Sequence, residues 1–160
     1  MAENTARSIK DLSFTEADRF RITQQNGFLG VTKPVHHVIY GTSAATAANY
    51  SAPFFIADRS YEIISITERH ETAGSAGGSV TLMVKKVPSG TVPASGIDVL
   101  TSGINLKATA NTNQNGTISG ARTSGVYNKT MTTGDSLSLV TTGTLTSVAG
   151  VSVSVLLRSL

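Results

Sequence analysis

The chain has 160 residues and a formal net charge of +3, with 14% charged residues, no cysteine and no tryptophan. Because there is no cysteine, disulfide-stapled domains and thiolate metal sites are excluded. Serine and threonine together supply 41 residues, which excludes a helical bundle and favours one all-β domain with a hydroxyl-rich surface. The basic residues are scattered, unlike those of a nucleic-acid-binding stripe, no apolar run reaches the length of a membrane span, and the N-terminus does not resemble a signal peptide.

Residues 1–33 differ in composition from the rest and are predicted to form an extended N-terminal arm. They hold nine charged residues, whereas residues 95–160 hold six. Their apolar residues are sparse and without a period, although Ser13–Glu16 fits a capping box that would open a short helix over residues 14–20. The alternative is that this segment packs as ordinary loops on its own core. Residues 34–160 are assigned to the folded domain.

Strand signals begin after the arm. The β-branched and aromatic run Val35–Tyr40 predicts a strand, residues 42–52 a small polar loop, and Phe54–Ile56 a short buried strand. Residues 61–71 form the longest early strand. Its apolar alternation changes phase at Ile63–Ile64, which predicts a β-bulge there.

Alternation resumes over Val80–Val84 after the glycine-rich turn at 74–78, so residues 61–87 are predicted to form a hairpin of two long strands. Asn111–Gly116 is predicted to be a polar loop tip, and Gly134–Asp135 a turn. A final strand, Val151–Leu157, is expected to lie inside a sheet. About eight strands separated by regular turn signals indicate a jelly-roll-like antiparallel β-sandwich.

Candidates for a metal site are few. Such a site would combine His36 or His37 with His70 and a nearby glutamate, Glu68 or Glu71. Adjacent histidines on a strand point to opposite faces, however, and His70 near a strand end is expected to be solvated or locally bonded. The sequence therefore predicts no metal ion.

The charged residues also suggest no catalytic constellation. Glu62 and Glu68 interleave with Arg59 and Arg69, which is typical of ion pairs on a sheet face, and Lys85–Lys86 is predicted to be a solvated strand end. The sequence contains no nucleophile elbow, phosphate-binding loop or dinucleotide fingerprint. We therefore expect neither an enzyme nor a cofactor.

About two-thirds of the chain resembles the small jelly-roll decoration proteins of tailed-bacteriophage heads, also called cement or head-fibre-like proteins. The similarity, in pattern and order, is carried by Tyr61–Glu71, Gly78–Lys86, Pro88–Gly90, Leu100–Lys107, Gly134–Leu139, Thr142–Thr144 and Val151–Val155. This resemblance implies a structural virion protein, made in the host bacterial cytoplasm, that binds the major capsid protein on the outside of an assembled shell. It also implies a homotrimer.

Apolar residues are the candidates for these contacts. The predicted capsid anchors of the arm are Ile9, Leu12, Phe14 and Phe20, and the predicted subunit interface comprises Tyr40, Tyr50, Phe54 and Met83. Two alternatives remain: a tail or baseplate sandwich, and a glycan-binding module. The second alternative rests on Tyr127–Asn128, predicted to lie beside the amide-rich tip at residues 111–115.

Overall fold

The computed structural model describes residues 32–39 and 50–160. In this part of the chain the regular structure consists of twelve strands and one 3-10 turn, Pro93–Ser95. The strands are β1 (Thr32–Ile39), β2 (Ser51–Ile56), β3 (Tyr61–Arg69), β4 (Thr81–Val87), β5 (Ile97–Asp98), β6 (Ile104–Asn105), β7 (Gln114–Gly116), β8 (Arg122–Thr123), β9 (Val126–Tyr127), β10 (Thr130–Met131), β11 (Ser136–Thr142) and β12 (Val151–Ser159). Their pairings are antiparallel, and the predicted all-β class is confirmed.

The strands form two sheets and a separate small hairpin. The first sheet has the order β1-β12-β3-β10, with β7 also paired to β3. The second has the order β2-β11-β4-β5, with β6 also paired to β4, and β8 pairs with β9. If β5 and β6 are counted as one interrupted strand, and β7 and β10 as another, the two sheets together contain eight strands. The order of these strands within each sheet is that of a jelly roll. The predicted antiparallel sandwich is therefore confirmed.

The core lies between the two sheets and is built from alternate residues of the long strands. These inward residues are at most 1% exposed: Ile63 and Ile66 of β3, Leu82 and Val84 of β4, Leu137 and Leu139 of β11, and Val153, Val155 and Leu157 of β12. Each such side chain contributes about 1.5–3 kcal/mol by its burial. The charged residues Glu68 and Lys86 continue the inward rows of β3 and β4 and are buried with them.

The predicted bulge is present in β3. Along the β3–β12 ladder, Leu156 pairs with Ser65 and Leu157 with Ile63, so Ile64 is the extra residue. Ile64 is partly exposed, whereas Ile63 and Ile66 on either side are buried. The bulge thus lets both buried isoleucines face the core although they are three positions apart.

The predicted hairpin of residues 61–87 is wrong. β3 pairs with β12, β10 and β7, whereas β4 pairs with β11, β5 and β6 in the other sheet. The connecting segment, residues 70–80, crosses from one sheet to the other: Gly74 N donates to Leu106 O and Ser75 N to Thr146 O. A period of two shows which residues of a strand face the core but not which strand is its partner.

The remaining predictions have mixed outcomes. The final strand, β12, lies between β1 and β3 inside the first sheet, as expected. The Gly134–Asp135 turn is also confirmed, with Asp135 Oδ2 accepting a hydrogen bond from Thr132 N at 2.8 Å. The predicted loop tip at 111–116 is only partly a loop, because Gln114–Gly116 pairs with β3.

Candidate interaction surface

The predicted contact residues divide into described and undescribed groups. Ile9, Leu12, Phe14, Phe20 and Tyr40 lie outside the described residues. Tyr50, Phe54 and Met83 are half-buried and pack against the hydrophobic core of their own chain. All three lie on or beside the second sheet: Met83 pairs with Val140, Thr141 N donates to Tyr50 O, and Tyr50 N donates to Thr141 Oγ1. Their place in a subunit interface stays a prediction.

Larger apolar exposure occurs at one end of the second sheet. Ile56, the last residue of β2, is 70% exposed, and Val92 is 63% exposed. Val92 immediately precedes the 3-10 turn, which packs against β2, β11 and β4. Within the described residues, the strand partner of β2 is β11. We call Ile56 and Val92 the apolar edge. The sequence did not reveal this edge, because its pattern predicts a buried strand over Phe54–Ile56, whereas Phe54 and Phe55 are half-buried and Ile56 is exposed.

A second exposed apolar group lies on the β8–β9 hairpin. Val126 and Tyr127 are both more than 40% exposed. The Arg122 guanidinium lies 3.9 Å from the centre of the Tyr127 ring, a cation–π contact that holds the ring in place. Asn128 anchors the base of the hairpin: its Nδ2 donates to Asp98 O, and its Oδ1 accepts from Thr123 Oγ1. The hairpin is thus held against the sandwich with its apolar side chains exposed.

The amide cluster behind the glycan-binding alternative is not assembled. Asn128 is buried and both ends of its amide are bonded internally. Asn111 N donates to His70 O, just beyond the last residue of β3. Tyr127 is close to β10, which pairs with Tyr61 at the first residue of β3. Nine residues of strand separate these two ends of β3, about 30 Å, so the proposed partners do not converge.

His70 is locally bonded, which is one of the two outcomes expected for it, whereas the expected ion pair of Glu68 with an arginine on a sheet face is wrong. Both are fully buried, and His70 Nδ1 lies 2.9 Å from Glu68 Oε1 while His70 Nε2 lies 3.0 Å from Ala108 O. Gln114 Nε2 donates to Glu68 Oε2 at 2.7 Å and to Asn105 O. Burial raises the pKa of the Glu68 carboxyl, although its bonds to His70 and Gln114 oppose that change. The cluster ties the connection after β6 to β3.

The surface ion pairs also differ from expectation. Glu62 forms ion pairs with Arg158 and with Lys129, whose Nζ lies 2.6 Å from Glu62 Oε1. Arg59 pairs instead with Asp58. The bonds from Lys129 and Arg158 hold the pKa of Glu62 below its usual range. These partners come from β12 and from the residue before β10, which are distant in sequence and therefore could not be identified from strand patterns.

The prediction that Lys85–Lys86 is a solvated strand end is wrong for Lys86. Lys86 is 4% exposed, and its Nζ donates to Thr130 O at 2.9 Å and to Tyr127 O at 3.5 Å. Burial lowers the pKa of this amine, and the Asp135 charge partly opposes that change. Lys85, its neighbour, is on the opposite face and pairs with Asp98 at 2.8 Å.

Among the described residues, no group of three histidine, aspartate or glutamate side chains is arranged to hold a metal ion. His36 and His37 occupy successive register positions in β1, opposite Ser154 and Val153. Over the same residues, no helix has the length and apolarity needed to cross a membrane.

The comparisons with known proteins identify a similar fold but no family. No protein-family model matches the sequence, and no curated protein matches it. A chain of the cyanophage Pam1 capsid asymmetric unit superposes with a TM-score of 0.52 at 14% identity, covering 98% of this chain and 99% of that one. A chain of the infectious bursal disease virus Gx strain, also 14% identical, gives a TM-score of 0.25 over 80% of this chain and 37% of that one, too poor a superposition to support an argument.

Proposed function

We propose that this chain is a structural protein of a bacteriophage virion that binds the outside of an assembled capsid as a homotrimer and stabilises the shell. The observation that carries this proposal is the end-to-end similarity of fold to a chain of a cyanophage capsid asymmetric unit. Because each chain is covered almost completely, the two are nearly equal in length and share one architecture. The pattern resemblance to decoration proteins points in the same direction.

The surface chemistry of the described residues supports a role in protein contacts. The apolar edge and the β8–β9 hairpin offer exposed apolar side chains on strands held by the sandwich. Three copies linked in a trimer raise the effective concentration of each contact, so weak individual contacts combine into firm attachment.

The stabilising effect follows from linkage. A protein that binds only the assembled, expanded lattice lowers the free energy of that lattice. The stabilisation grows with the ratio of the free protein concentration to the dissociation constant. We infer that residues 1–33 supply part of this contact through Ile9, Leu12, Phe14 and Phe20. The apolar edge is the candidate for the contact between subunits, together with Tyr50, Phe54 and Met83.

The decisive experiment is binding to expanded empty capsids that lack this protein. We expect the protein to co-sediment with the capsids and to raise their melting temperature by several degrees in calorimetry. Ile56→Asp should lower the trimer fraction in analytical ultracentrifugation, because it places a charge on the apolar edge. The matched control, Ile64→Asp, changes an exposed isoleucine on the first sheet and should leave the trimer intact.

Two results would overturn the proposal. One is a failure to bind capsids at any stage of expansion. The other is localisation of the protein to the tail or baseplate by cryo-electron microscopy of the native particle, which would favour the tail alternative.

A further inference from the structure

Lys86 occupies a position where the strand pattern calls for an apolar residue. Along β4 it follows the buried residues Leu82 and Val84 on the inward row, and it pairs with Leu137 of β11 and Ile97 of β5. Its stem therefore extends between the sheets at the end of the sandwich. An ammonium group buried in this way loses its hydration and requires compensating partners.

The partners of Lys86 in the described part of the chain are neutral. Two backbone carbonyls accept from its Nζ, one at 2.9 Å and one at 3.5 Å, although an ammonium group carries three hydrogens. None of the carboxylates described in the structure forms an ion pair with it. Asp135 is nearby, but its Oδ2 accepts from Thr132 N and Thr132 Oγ1. Among the described residues, the buried cation thus has no contacting counter-ion.

A cleft of about 320 Å³ lies at this cation. It is lined by Lys86, Pro88, Ile97, Thr123, Ser124, Val126, Thr130, Thr132 and Asp135. One wall is the β8–β9 hairpin, which the hydrogen bonds of Asn128 fix to the sandwich, so the cleft is formed without a ligand. Its lining combines hydroxyl donors and aliphatic surface with one ammonium.

We propose that this cleft receives an acidic side chain, above all a glutamate, from a partner protein. The aliphatic stem of the glutamate would lie against Pro88, Ile97 and Val126, and its carboxylate would accept from Lys86 and the neighbouring hydroxyls. A charge-assisted bond to a desolvated ammonium is stronger than one between neutral groups and supplies the missing counter-ion. Asp135 repels such a ligand and limits its affinity. The inference does not depend on the capsid role.

The test uses the full-length, isotope-labelled protein and a pair of short blocked peptides, acetyl-Ala-Glu-Ala-amide and acetyl-Ala-Gln-Ala-amide. We expect saturable NMR shifts from the glutamate peptide at residues 123–126 and 130–135, with the glutamine peptide binding at least tenfold more weakly. Lys86→Met should remove the binding, whereas Lys85→Met, which changes the neighbouring lysine on the outer face, should not. Asp135→Asn should tighten binding severalfold, and it keeps the proposal testable if Lys86→Met fails to fold.

Several outcomes would overturn the proposal. These are equal affinity for both peptides, shifts confined to other residues, no saturation, or unchanged binding in Lys86→Met or Asp135→Asn. Binding of butyrate without binding of the glutamate peptide would also overturn it, because the site would then recognise a small free acid. Since no capsid is present, failure here and failure of capsid binding are independent results.

Discussion

Gly143 illustrates a residue whose side chain is excluded by the fold. It has a φ of +89°, and a Cβ at this position would collide with Ser79 O, where the chain leaves β11 close to the start of β4. Gly90 has a similar φ of +83° with no atom near its Cβ position. We expect Gly90→Ala to lower the free energy of unfolding by about 1–2 kcal/mol, and Gly143→Ala to lower it by about 4 kcal/mol or more. Chemical denaturation measures both, and equal losses would contradict the collision.

Glu68 and Glu62 of β3 should contribute to the free energy of unfolding with opposite dependences on pH. The folded state raises the pKa of Glu68 through burial, so folding favours its protonated form and this contribution to stability falls as the pH rises above the ordinary value of 4.5. Glu68→Gln, which mimics the protonated acid, should therefore gain stability relative to the native chain as the pH rises.

Glu62 serves as the contrasting case. Its pKa is lowered by the bonds from Lys129 and Arg158, so its contribution is present above the ordinary value of 4.5 and is lost as the pH falls through the folded value. Glu62→Gln should therefore be destabilising at neutral pH and nearly neutral in acid. Urea denaturation of both variants between pH 3 and 8 measures the two trends, and a common sign would contradict the assignment.

The bulge in β3 gives a prediction about a strand element. Deleting Ile64 leaves the order Tyr61, Glu62, Ile63, Ser65, Ile66, in which buried and exposed residues alternate without interruption. The deletion should therefore fold with a modest loss of stability. Deleting Thr67 gives a chain of the same length as the Ile64 deletion. It shifts Glu68 outward and Arg69 inward, because a one-residue shift moves every later side chain of the strand to the opposite face of the sheet. We expect that variant not to unfold cooperatively, and an equal thermal transition in both would contradict the register.

How far the sequence predicts this fold depends on what each pattern encodes. The bulge at Ile64 was visible because two isoleucines of opposite parity are adjacent. The pairing of β3 with β12 instead of β4 was not visible, because a period of two specifies a face and not a neighbour. Lys86 shares the parity of Leu82 and Val84, so its burial could have been deduced, but the rarity of buried lysine favoured the solvated interpretation.

The candidate contact surfaces were the least predictable part. Ile56 follows two half-buried phenylalanines and becomes exposed only because β2 ends at the edge of its sheet. The cleft at Lys86 combines residues from the end of β4, from β5, from the β8–β9 hairpin, and from β10 and the turn that follows it. These residues lie close together because the chain crosses between the two sheets. A local sequence pattern does not predict which distant segments the crossing brings together.

At the scale of the whole molecule, the sandwich should fold without residues 2–31. β1 begins at Thr32, and its eight residues pair along β12, so this truncation leaves every described strand and ladder intact. Among the described residues, the buried core cluster runs from Ala57 to Leu157. We expect a cooperative thermal transition within a few degrees of that of the full chain.

The same truncation separates the two roles proposed for the chain. If the N-terminal segment supplies capsid anchors, the truncated protein should bind expanded capsids at least tenfold more weakly. Its binding of the glutamate peptide should be unchanged, because each residue lining the cleft lies between 86 and 135. Co-sedimentation and peptide titration measure these two properties on one sample. A truncated protein that melts far below the full chain would show that residues 2–31 belong to the folded domain, since the described sandwich would then depend on contacts outside its own strands.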